Sequence, residues 1–174
     1  SKILRERSGN MKVLKSRGFA LAVLVLVIVA GSLYGISRKP VAVQYGTWIA
    51  DDAGLLTAET KQCIEDYNRQ WNEKYYAVVA VASVDSTHGK SSENYAAALG
   101  KEWGLGQNDM LLLLVKGGDY YVLLGNGVNA AATDTQLYKL KSAIEQDYYS
   151  GSYDNAALSF YRMADVVYAQ MFHK

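Results

Sequence analysis

A 174-residue chain of net charge +1 reads as neutral only because two unlike parts cancel. Residues 1–40 hold eight basic and one acidic side chain, net +7, whereas residues 41–174 hold ten basic and sixteen acidic, net −6. The acidic part excludes a nucleic-acid-binding role, which needs a basic footprint, and the lone cysteine excludes an internal disulfide.

The first element along the chain is the uncharged run from Phe19 to Tyr34, set between Lys12, Lys15 and Arg17 on one side and Arg38 and Lys39 on the other. About 17 to 19 such residues in a helix just cross a bilayer's hydrocarbon core. The basic excess on the leading side predicts a single-pass transmembrane anchor over 18–36, with a basic cytoplasmic N-terminus over 1–17. Everything after Pro40 then lies outside the cytoplasm, in the extracellular or periplasmic space. Two other readings stay open. The run could be a secretory signal peptide processed near Ala30-Gly-Ser32, or a buried core helix. Met11 opens a credible lead-in of its own, which would make the residues before it an upstream extension.

Residues 37–46 hold the only proline and read as a linker, leaving 47–174 as one domain large enough to bury a core without disulfides. Trp48-Ile-Ala50 predicts a short strand ending at the Asp51-Asp52-Ala-Gly54 turn. Thr57 caps a helix with Cys63, Ile64, Tyr67 and Trp71 on one face. The segment 76–84, apolar on both faces, predicts a buried central strand. Ser91 or Ser92 caps a second helix carrying Tyr95, Leu99 and Trp103, with Gly104 as its stop. Met110–Val115 and Tyr120–Leu124 form a hairpin across Gly117-Gly118, ended by Asn126-Gly127. Thr133 or Asp134 starts a third helix, and a last one follows the Tyr149–Ser152 turn. Right-handed crossovers then give an α/β fold, a three-layer α/β/α sandwich around a small mixed sheet of about four strands. The 14 tyrosines, against three phenylalanines, suit either a contact surface or amphipathic core edges.

Two polar edges follow from this topology. If Lys116 pairs with Asp119, Asp109 faces Asn126, and the open end of the hairpin gathers Gln107, Asn108, Asp109, Asn126, Asn129 and Asp134. Oxygen-rich side chains beside flexible glycines are what calcium requires. The other edge collects Asp51, Asp52, Asp85 and His88 at the carboxyl end of a parallel strand. At either edge these residues could equally be turn and cap formers. The metal candidates are thus Asp51, Asp52, Asp109 and Asn126, and no catalytic residue is assigned. Cys63 and Arg69 have the spacing of a cysteine-phosphatase loop, but they lie within a helix alongside Glu65 and Asp66, which would repel phosphate.

The punctuation of the chain resembles that of the TPM-domain family. Ile49-Ala-Asp51-Asp-Ala-Gly-Leu-Leu-Thr57, the Val-Val-Ala-Val strand, Tyr95-Ala, Trp103-Gly-Leu-Gly106, Gly125-Asn-Gly127 and Tyr149-Ser-Gly-Ser-Tyr153 fall in order over about 46–172. The family includes thylakoid-lumen proteins linked to photosystem repair, an auxiliary protein of an acetylcholine receptor, and bacterial membrane-anchored members. The resemblance implies an α/β/α sandwich and an extracytoplasmic assembly or quality-control role, with acid phosphatase activity and calcium binding found in some members. It carries over Asp51, Trp103, Gly104, Gly106, Gly125 and Gly127, with Asp109 as a shifted candidate. Together with Asn108 and Asn129, Trp103, Gly125 and Gly127 make up the candidate binding set. The family's Asp-Asn-Gly before the third strand is Gln107-Asn-Asp109-Met110 here, and Asn129 stands where many members carry Glu; both changes weaken a dication site. Three functions are therefore expected in turn: a binding or assembly module for membrane proteins, a metal-dependent acid phosphatase, or a calcium-binding structural domain.

Overall fold

The computed structural model describes residues 21–23 and 48–173. Five strands, β1 Leu21–Val23, β2 Ile49–Asp51, β3 Val79–Val84, β4 Met110–Val115 and β5 Tyr121–Leu124, lie in the order β1-β5-β4-β3-β2. β2, β3 and β4 are parallel, and β5 runs antiparallel to β4. Five helices accompany them among the described residues: α1 Ala58–Tyr75, α2 Ser92–Glu102, α3 Asn126–Ala131, α4 Asp134–Tyr148 and α5 Tyr153–Met171.

The expected three layers are present over residues 48–173. Val79, Val81, Leu112, Leu114 and Val122 face α1, α4 and α5, burying Ile64, Trp71, Leu140, Ile144, Phe160 and Tyr161. Ala80, Ala82, Leu111, Leu113 and Leu123 form the other face with Ala96 of α2 and Trp103 just after it. Every residue of β3 and β4 is buried because both faces are covered, which explains why these strands read as continuous apolar runs. Caps set the helix starts: the hydroxyls of Thr57, Ser91 and Thr133 accept from the amides of Thr60, Asn94 and Gln136.

One expectation is without support here and two need correction. The transmembrane helix over 18–36 is not supported: of that segment only Leu21–Val23 are described, and they are not helical. Leu21–Val23 are an extended strand parallel to β5, with Ala22 opposite Leu123. A run of alternating Val and Leu suits a strand, and the outer edge of β5 presents unpaired backbone groups. The rest of that segment, with the basic N-terminus over 1–17 and the linker over 37–46, lies outside the described residues. Among the described residues no helix is long and apolar enough to cross a membrane.

Second, the hairpin register is shifted by one. Leu113 faces Tyr121 and Met110 faces Leu124, which sets Asp109 against Gly125 rather than Asn126. The cause is the turn. The Gly118 amide donates to the Val115 carbonyl at 3.0 Å, and Gly117 at φ +72° adds a third loop residue. Third, Asn126-Gly127 does not merely end a strand but opens the short helix α3.

Among the described tyrosines, Tyr120, Tyr121, Tyr148, Tyr161 and Tyr168 are buried in the core, and the hydroxyls of the last three reach backbone at strand ends. Tyr161 donates to the Val79 carbonyl at 2.6 Å, Tyr168 to the Asn108 carbonyl at 2.6 Å, and Tyr148 to the Val115 carbonyl at 2.7 Å.

Candidate functional site

The two polar edges lie at opposite ends of the sheet. Asp51 ends β2 at the carboxyl end of the parallel strands, whereas Asp109 immediately precedes β4 at their amino end. The four metal candidates therefore do not form one site: Asp51 and Asp52 stand at one pole, Asp109 and Asn126 at the other.

At the carboxyl pole the Asp51 side chain is almost wholly enclosed, at 4% exposure. Its oxygens accept from the Leu55 amide at 2.8 Å, the Leu56 amide at 3.2 Å and the Ser83 hydroxyl at 2.5 Å. Lys61 closes the ring with its ammonium at 3.0 Å. Burial opposes ionisation here, yet the Ser83 hydroxyl, the Lys61 ammonium and the two amides together bring the pKa below the usual carboxylate value. Asp51 thus shapes the turn into α1 and ties β2 to β3. Asp52, Asp85 and His88 are exposed around it.

At the amino pole Asp109 keeps some contact with solvent, but its carboxylate turns inward. Oδ2 accepts from the Gly106 amide at 2.5 Å and Oδ1 from the Val78 amide at 2.9 Å. Among the described residues no cation pairs with it, and desolvation, only partly offset by those amides, raises its pKa. Its neighbours are equally engaged. Asn108 donates from its side chain to the Tyr75 carbonyl at 3.0 Å, closing the end of α1. The Gln107 carbonyl accepts from the Gly127 amide at 2.8 Å and the Val128 amide at 3.2 Å, so this loop caps α3.

That contact explains the Gly-Asn-Gly motif. A Cβ on Gly125 would fall on the Gln107 carbonyl and lie 2.6 Å from the Gly106 oxygen; one on Gly127 would lie 2.9 Å from the Gln107 oxygen. The glycines are needed for this close backbone approach. Trp103 is a core residue, 3% exposed. Asn129 is buried in α3 with its Oδ1 unsatisfied, while Asn126 is exposed. Cys63 is exposed on α1, and Arg69 pairs with Asp66 at 3.2 Å, so no phosphate cradle exists there.

The donor chemistry does not suit calcium as arranged. Asp51 already faces a cation in Lys61, and each Asp109 oxygen accepts from a backbone amide. Among the described residues no group of three or more His, Cys, Asp or Glu could hold a metal ion.

Three buried polar residues, Thr60, Asn68 and Ser83, were missed from sequence. Asn68, 2% exposed, accepts from the Val79 amide at 2.7 Å and donates to the Val79 carbonyl at 2.9 Å. β2 pairs with β3 only from Val81 onward, so Asn68 stands in for the missing strand. An asparagine on the Ile64–Trp71 stripe was the available signal.

The geometry thus defines a small three-layer α/β domain whose two strand-end carboxylates are tied into the fold. The TPM domain model matches residues 49–167, and the chain belongs to the TPM domain family. Solved structures agree at the level of the fold. The N-terminal domain of a protein from P. gingivalis matches with TM-score 0.61 at 22% identity, covering 79% of this chain and 98% of that one. The N-terminal domain of the cg2496 protein from Corynebacterium glutamicum gives 0.60 at 17% identity, over 75% and 84%. The BA42 protein from the psychrophilic bacterium Bizionia argentinensis gives 0.58 at 18%, over 67% and 83%. No curated protein matches the chain.

Proposed function

We propose that this chain is a membrane-tethered TPM domain, held outside the cytoplasm, that works as a non-catalytic binding or assembly module for membrane proteins. The observation that carries the non-catalytic part is the engagement of Asp51 and Asp109. A general base or metal ligand needs oxygens free to meet substrate or ion. Here Asp51 is held by Lys61, Ser83 and two amides, and Asp109 by two amides.

The tether rests on the uncharged run 19–34 and its basic flanks. Insertion would take Leu21–Val23 off β5 and leave that edge open, so the strand pairing and the bilayer compete for the same residues. Alkaline carbonate washing of membranes expressing the full chain tests the tether; release into the supernatant refutes it. Cross-linking in intact cells tests the partner role, with a discrete membrane complex expected. Recovery of free monomer alone after mild solubilisation, or hydrolysis of an aryl phosphate abolished by Asp51→Ala, counts against the binding reading.

A further inference from the structure

The amino pole carries a second feature that the proposed function does not use. Trp48 brings the chain into the domain at this pole, since β2 begins there parallel to β3. α1 ends at the same pole in Tyr75 and Tyr76, as does α5 in Met171 and Phe172. Tyr76 is 85% exposed, the most exposed large apolar side chain described. It also holds a left-handed backbone at φ +51°, a position where glycine costs least. Tyr75 and Phe172 are half-buried beside it, with ring centroids 5.9 Å apart.

Charge separates the two poles further. At the amino pole the exposed charges are Glu73 and Lys74 at the end of α1, Lys101 and Glu102 at the end of α2 and Asp134 at the start of α4, and Gln107 and Asn126 are uncharged and exposed. The carboxyl pole exposes Asp52, Glu59, Asp85, Glu93 and Asp119, against Lys90 and Lys116. An anionic bilayer repels that end more than the first. Only 13 residues separate Tyr34 from Trp48. Fully extended they span roughly 45 Å, so a tethered domain stays near the surface.

We infer that the amino pole is the domain's lipid-facing surface, with Tyr76, Tyr75 and Phe172 seated at the headgroup level. Tyrosine suits that layer because its ring is apolar and its hydroxyl wet. The inference rests on the tethered reading, and the test separates the two. The full chain, in a Cys63→Ser background, is placed in vesicles of phosphatidylcholine and phosphatidylglycerol containing nitroxide-labelled lipid. A fluorophore is attached at Asn72→Cys near the amino pole or at Asp85→Cys at the other.

Quenching at position 72 several-fold above that at 85 is expected, and Tyr76→Gly, which suits the backbone but removes the ring, should at least halve it. Equal quenching in vesicles from which carbonate does not extract the chain overturns the lipid-facing pole and leaves the tether standing. A label at 72 shielded from aqueous iodide but not quenched by lipid overturns it in favour of a protein partner. Extraction of the chain by carbonate removes both readings together.

Discussion

Asp51 and Asp109 are the same residue type at the two ends of one sheet, and their surroundings drive them in opposite directions. Four donors, one a full cation, hold Asp51 ionised despite its burial. Asp109 meets only two amides, too few to repay desolvation, so its protonated form is favoured relative to a solvated carboxylate. Burial alone does not decide a carboxylate's state; the number and charge of its donors does. The same contrast divides stability. The carboxyl pole is held by charge, the amino pole by close backbone packing.

The sharpest way to break the amino pole is Gly125→Ala. Its Cβ meets two backbone oxygens that cannot rotate away. A loss of about 3 kcal/mol or outright failure to fold is expected in urea denaturation. Asp51→Ala should cost nearly as much, about 2–3 kcal/mol, by leaving buried donors and Lys61 without their acceptor. Asn68→Ala probes the join between the poles, where the buried Val79 amide loses its partner while the Val79 carbonyl keeps Tyr161; about 1–2 kcal/mol is expected from the same measurement.

The pH response sharpens the comparison. The folded pKa of Asp51 is lowered, so its contribution is complete above the unfolded value of 3.8 and disappears as pH falls through the lower folded value. The folded pKa of Asp109 is raised, so its contribution is complete below 3.8 and is lost as pH rises through the higher folded value. Stability measured from pH 2 to 7 should therefore lose part of its acid-side fall in Asp51→Asn and part of its opposing slope in Asp109→Asn. Identical slopes in the two variants would refute the contrast. Lys61→Met should have the smallest effect, about 0.5–1 kcal/mol, because Lys61 is 39% exposed and its attraction is screened. Raising the salt concentration should shrink that difference.

The local elements were legible because their signals are local. Thr57, Ser91 and Thr133 cap the helices where their side chains said they would, and the apolar runs of β3 and β4 announced strands covered on both faces. The failures came from contacts between distant segments. One extra loop residue at Gly117 slid the hairpin register, since register follows turn geometry rather than residue type. α3 was missed because its first amides are capped by Gln107, about twenty positions earlier, and no flanking residue advertises that. The 19–34 run gave a bilayer signal from its composition, while its three described residues pair with β5, a choice that hydropathy alone does not make.

From its sequence alone the domain's α/β layering, the starts of α1, α2 and α4 and its TPM punctuation were determined, because periodicity, caps and turn glycines act over a few neighbouring residues. Only the tertiary structure decided what Asp51, Asp109 and the Gly-Asn-Gly turn touch. A carboxylate becomes a fastener or a ligand according to which donors reach it, and those donors arrive from up to 32 positions away.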